Sequence, residues 1–138
     1  MIDAKEYLKD IKRMRQHLDR LKQRRASLHL DVSFGGIDYS ADRIQNSPEN
    51  KLENAMIKLS DRLEHIDQAI ALLSVDIDDR LNNIENLKDN KYRNVLFKRY
   101  SEYKSLEEIS VEMGYVYNYT CNIHGEALKE LSKVLNKS

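Results

Sequence analysis

Apolar residues recur along the start of the chain at intervals of four and three: Tyr7, Ile11, Met14, Leu18 and Leu21, then, beyond Arg25, Leu28 and Val32. This is a heptad seam, the pattern that lays one apolar stripe of a helix along a partner. Gly35 and Gly36 end it. A second run begins behind Ser47, which can cap a helix, and Pro48, whose missing N–H is no loss at the first helical position. Its seam is Leu52, Met56, Leu59, Leu63, Ile66, Ile70, Leu73 and Ile77, with the same alternation. Arg80 then falls on the seam, and Leu81, Ile84 and Leu87 drift to another face. Two such seams, joined by a linker over 33–48, predict a long antiparallel coiled-coil hairpin over residues 1–88. A second helix of about 40 residues would run about 60 Å. The first seam is shorter than the second, so the stretch from Ile77 to Leu87 has to pack elsewhere, on the C-terminal segment or on a second copy of the chain.

Asp89 and Asn90 break the pattern and open a third segment, with helices expected near 90–102, 106–113 and 117–136. Ser105 followed by Glu108 is a capping box. Gly114 can close the short helix by taking the left-handed position after its end. A short helix, a tight glycine turn and a longer helix predict a helix-turn-helix domain over 89–138. Its expected core is Leu96, Tyr100, Leu106, Ile109, Met113, Thr120, Ile123, Ala127, Leu128 and Leu131. The fold class read from the pattern is therefore all-α.

Composition agrees with long helices: a third of the 138 residues are charged, and there are one Pro, four Gly and no Trp. The zero net charge is unevenly distributed. Residues 1–32 carry nine basic and five acidic groups, residues 49–90 five and ten, and residues 91–138 eight and six. Opposite charge on the two long helices favours their pairing. That is the expected use of Lys12, Arg13, Arg15, Arg20, Lys22, Arg24 and Arg25, with nucleic-acid contact as the other reading. The lone Cys121 excludes an internal disulfide and a cysteine-based zinc site, and fits a cytoplasmic setting. No apolar run approaches the ~20 residues of a membrane span, and Asp3, Lys5 and Glu6 interrupt any signal-peptide core.

Chemistry is harder to find. There is no glycine-rich phosphate loop, no nucleophile with a placed base and no pair of catalytic carboxylates, so no enzyme is expected. His17, His29 and His65 lack metal-ligand spacing, and Asp76, Asp78 and Asp79 read as a solvated acidic face, so neither metal nor cofactor is expected.

The C-terminal segment carries a more specific signal. In order it reads Leu96-Phe97-Lys98-Arg99-Tyr100, Ser105-Leu106-Glu107-Glu108-Ile109, Met113-Gly114-Tyr115 and Ile123-His124-Gly125-Glu126-Ala127-Leu128. This resembles region 4 of sigma factors and, more closely, the sigma-like late-gene regulators of phages and prophages (the ArpU type). The linker stretch Tyr39 to Pro48 resembles an element at the same place in those regulators; its bland reading is a loop pinned by Tyr39 and Ile44.

The resemblance implies a phage-type transcriptional regulator that binds double-stranded promoter DNA together with host RNA polymerase. It places base reading on Tyr117, Asn118, Cys121 and Asn122, and phosphate contacts on Lys98, Arg99, Lys104, Lys129 and Lys133. Asn can pair with adenine, and Tyr and Cys can meet thymine methyls, which suggests an A/T-leaning target. Arg99 has a second reading, an internal pair with Glu107 or Glu108 that holds the turn. His124 is expected to pack or to meet a phosphate.

Three features depart from the family pattern. The base-reading slots hold no Arg, Val116 replaces a capping Ser or Thr, and Tyr103 stands where Gly is common. Two further readings stay open. One is an interaction module that docks on RNA polymerase or another protein without reading bases; the other is a structural coiled-coil protein. A homodimer through Leu81, Ile84 and Leu87 is also open.

Overall fold

The computed structural model describes residues 1–33 and 48–137, and these fold as five helices: α1 (Ala4–Ser33), α2 (Pro48–Glu85), α3 (Asn90–Tyr100), α4 (Leu106–Met113) and α5 (Tyr117–Leu135). The fold is all-α, and the three short helices begin where the sequence places them. The linker element at 39–47 lies outside the described residues. None of the helices is long and apolar enough to cross a membrane.

The chain divides into two compact units. The first, His17–Ser74, combines the later part of α1 with most of α2. Leu59 and Ile66 are buried there, and Leu18, Leu21, Leu28, Leu63, Ile70 and Leu73 are half-buried. Arg25, in the gap of the α1 seam, is ion-paired and hydrogen-bonded to Asp67. The seam is not covered along its whole length, however: Leu52 is 44% exposed and Met56 39%. A heptad stripe fixes which face a helix offers, not how far a partner follows it.

The second unit joins Met1–Gln16 to Val75–Ser138. It buries Ala4, Leu8, Ile11 and Met14 of α1, and Ile77, Ile84 and Leu87 from α2 and its end. From α3 to α5 it buries Val95, Leu96, Tyr100, Ile109, Thr120, Ile123, Ala127 and Leu131. Here α1 and α2 run in opposite directions: Tyr7 meets Arg80 and Asn83, and Asp10 meets Arg80.

The seam arginine is well satisfied. Arg80 lies 4.5 Å from the Tyr7 ring centroid, donates to the Tyr7 carbonyl at 2.7 Å, and lies 3.8 Å from Asp10 and 3.5 Å from Asp76. The surplus stretch of α2 thus packs in the unit that holds α3–α5. Ile84 and Leu87 are buried within the protomer and are not a free face for a second copy.

Helices α3, α4 and α5 pack on one another around Val95, Ile109 and Ile123, flanked by Tyr92, Leu106, Met113 and Tyr115. Asp89 caps α3 by accepting from the Lys91 amide at 2.8 Å. The beginning of the chain is fastened to the end of α5 in both directions. The Ile2 amide donates to Asn136 Oδ1 at 2.9 Å, and Asn136 Nδ2 donates to the Ile2 carbonyl at 3.1 Å.

Candidate functional site

The connection from α3 to α4 is a tight turn held by backbone. The amides of Ser101 and Glu102 both donate to the Phe97 carbonyl, and the Lys104 amide to that of Lys98. Tyr103 takes a left-handed conformation, φ 61°, where an L side chain crowds its own backbone. Arg99 does hold this turn, but through the Lys104 carbonyl at 3.0 Å rather than through Glu107 or Glu108. Glu108 is taken up by the helix cap: its amide donates to Ser105 Oγ at 3.2 Å, and the Ser105 hydroxyl donates back to its carboxylate at 3.3 Å.

Between α4 and α5 the chain turns on Gly114, φ 70°, with the Tyr115 amide bonded to the Ser110 carbonyl at 2.9 Å. Val116 then stands at the N-cap of α5 and makes no side-chain cap bond. The Thr120 hydroxyl reaches back to the Val116 carbonyl at 3.3 Å.

Thr120, Ile123, Ala127 and Leu131 form the inner face of α5. That leaves Tyr117, Asn118 and Asn122 exposed and Cys121 half-buried on its first two turns. Asn118 and Asn122 are one turn apart, and each amide offers a donor and an acceptor together, the pairing an adenine edge presents. Hydrogen bonding with the neighbouring Cys121 pushes the Tyr117 phenol pKa up.

The five cations expected to meet phosphate fall into two groups. Lys98, Arg99 and Lys104 gather at the α3–α4 turn, and all three are engaged internally. Lys98 lies 3.1 Å from Glu112, and Lys104 lies 2.6 Å from Glu112 and 3.0 Å from Glu102. The bonds to Glu112 and Glu102 raise the Lys104 pKa, and those from Lys104 and Lys98 lower that of Glu112. Lys129 and Lys133 are exposed one turn apart on α5, with Glu130 3.3 Å from Lys133.

A neighbour on α3 escaped the sequence reading. Lys91 bonds the Tyr119 hydroxyl at 3.1 Å, and the Tyr119 ring meets Tyr115 edge-on with centroids 5.0 Å apart. Tyr115 and Tyr119, four residues apart across the start of α5, are the available signal, but only the packing of α3 on α5 brings Lys91 to them.

His124 packs and does not reach outward: its Nε2 is 2.8 Å from the Tyr100 hydroxyl, with the rings stacked at 5.7 Å. Burial, with help from Arg99 and Lys5, lowers its pKa to about 4. Burial likewise pushes Tyr100 up to about 12.

No group of three or more His, Cys, Asp or Glu side chains is placed to hold a metal among the described residues. Asp76 is paired with Arg80, and Asp78 accepts from Asn82 at 3.3 Å. No protein-family model, curated protein or solved structure matches this chain.

Proposed function

We propose that this chain is a phage-type transcriptional regulator. It binds promoter DNA through a sigma region 4-like helix-turn-helix, with α5 as the recognition helix, acts together with RNA polymerase in the cytoplasm, and catalyses no reaction. In this reading α1 and α2 form an antiparallel coiled-coil hairpin that carries the DNA-binding part. The observation that carries the proposal is the division of α5 into two faces: Thr120, Ile123, Ala127 and Leu131 are buried, while Tyr117, Asn118 and Asn122 are exposed beside the Gly114 turn. In helix-turn-helix readers it is this exposed start of the second helix that enters the major groove. The sequence resemblance to sigma region 4 supports the same assignment.

The test is selection from random DNA duplexes at about physiological salt, where phosphate contacts alone hold weakly. An enriched motif is expected with the wild type and not with Asn118→Ala/Asn122→Ala. The absence of any enriched motif with the wild type removes autonomous DNA recognition.

A second reading is favoured by a specific observation. Lys98, Arg99 and Lys104 are engaged within the protein, and no Arg stands in the base-reading slots. Such a face suits a module that docks on RNA polymerase or another protein. Binding of DNA weakens steeply with added salt, whereas a hydrophobic protein interface is far less affected.

A further inference from the structure

Away from α5, the second unit contains a cleft of about 290 Å³ lined by Leu8, Lys9, Lys12, Arg99, Tyr100 and Tyr103. Leu8 is fully buried and Tyr100 nearly so, which gives the cleft an apolar floor. Above it stand three cations. Lys9 and Lys12 follow each other on exposed turns of α1. Lys9 has one carboxylate near it, Glu6 at 3.9 Å. The acid between them in sequence, Asp10, is turned to Arg13 at 3.1 Å and Arg80 at 3.8 Å. Lys12 has no carboxylate at ion-pair distance among the described residues; its ammonium lies 5.5 Å from the Tyr103 ring centroid. Arg99 gives one N–H to the Lys104 carbonyl, and a guanidinium has five.

The rim at Tyr103 is held in place with unusual effort. Its backbone is the one non-glycine in the left-handed region among the described residues. Arg15 clamps it, donating to the Ser101 carbonyl at 2.7 Å, to Ser101 Oγ at 3.2 Å and to the Tyr103 hydroxyl at 3.2 Å. Strain of this kind persists only where the surroundings over-determine it, and it concentrates at ligand sites. The clamp leaves a phenol, two ammonium groups and a guanidinium around one cleft, with Glu6 beside Lys9 and both Asp3 and Glu6 within electrostatic reach of Tyr100. Several separate donors facing one apolar-floored space suit a tetrahedral anion, whose oxygens can accept from all of them at once.

We propose that this cleft binds a phosphate group, supplied by a nucleic-acid backbone or as free phosphate. The site takes no lining residue from α5 and does not depend on whether that helix reads bases. If the source is a duplex, α1 becomes a second contact to it.

The test uses the full chain with its tyrosines labelled for NMR, and follows the ring signals of Tyr103. In one arm, inorganic phosphate replaces chloride at constant ionic strength; in the other, a random-sequence duplex is added. A saturable movement of the Tyr103 signals is expected in at least one arm. Lys9→Gln/Lys12→Gln should weaken it about tenfold or more, as expected for lost charge-assisted bonds. Lys12→Arg, which keeps the charge, should retain it and exclude misfolding as the cause. Saturation by inorganic phosphate identifies free phosphate, and saturation by the duplex alone identifies a backbone contact. A Tyr103 signal that does not saturate in either arm, or that responds equally in the double variant, overturns the site. Failure of the α5 duplex selection leaves the phosphate arm to be read on its own.

Discussion

Val116 and His124 show how single side chains set the stability of α5. Val116 holds the N-cap backbone conformation, φ −68° and ψ 143°, but supplies no acceptor to the free amides of the first turn. It is 74% exposed, so replacing it sacrifices little burial. Val116→Ser should therefore stabilise the chain by about 1 kcal/mol. The check is a higher urea midpoint at an unchanged slope. His124 makes the opposite kind of demand. Its folded pKa, about 4, lies below the ordinary 6.5, so the unfolded chain takes up the proton first. Its contribution is complete above 6.5 and is lost as pH falls from there towards 4. Arg99, Lys5 and Tyr100 are the groups facing it, and the two cations oppose its protonation. His124→Gln cannot titrate, so its urea midpoint should fall less than that of the wild type across the same interval. An equal fall in both would place the acid sensitivity on carboxylates such as Glu112.

At the scale of the helices, much was legible before any coordinates. Caps and stops are local chemistry, and Ser105, Gly114 and the Asp89 break mark the three short helices to within two residues. The apolar stripe of α5 was equally readable. What the pattern could not supply is the partner of each stripe. Leu8 and Val95 were not assigned to the core, yet both are completely buried. Both stand beside an expected seam or core position, and packing from a second direction covers them. The pairing of Lys98 and Lys104 with Glu112 was hidden for the same reason, since it depends on how α3 meets α4. The α2 seam offers a direct measurement of this limit. Leu59→Ala or Ile66→Ala removes a buried side chain and should cost about 2–5 kcal/mol. Leu52→Ala lies on the same stripe but is exposed, and should change stability by about 0.5 kcal/mol or less. Equal losses at all three would mean that the seam is covered along its length.

Across the whole chain, the beginning of the sequence is part of the unit that contains α3–α5. Four residues of the first turns of α1 are buried there, Ile2 and Asn136 bond each other in both directions, and Arg15 braces the α3–α4 turn. A reading of 89–138 as a self-sufficient domain leaves these contacts out. The shared cluster of Val95, Ile109 and Ile123 is small, and a segment of roughly 50 residues is marginal once the contacts from α1 are removed. A fragment of residues 89–138 should therefore give weak helical circular dichroism and poorly dispersed amide signals. Within the full chain, Leu8→Ala should cost about 2–5 kcal/mol, although Leu8 lies some 80 residues from the nearest residue of α3. Its destabilisation should appear at Tyr115 and Ile123 as faster amide exchange, because the unit opens together. A fragment as well ordered as the parent, together with a Leu8→Ala variant that leaves exchange at Tyr115 and Ile123 unchanged, would make α1 a passive neighbour. Any binding measured on the fragment would then report on the proposed α5 face alone. If instead the two results hold, any assay of α5 has to be made on a chain that keeps residues 1–16, because truncating them removes the support of the helix together with Lys9 and Lys12 of the proposed phosphate cleft.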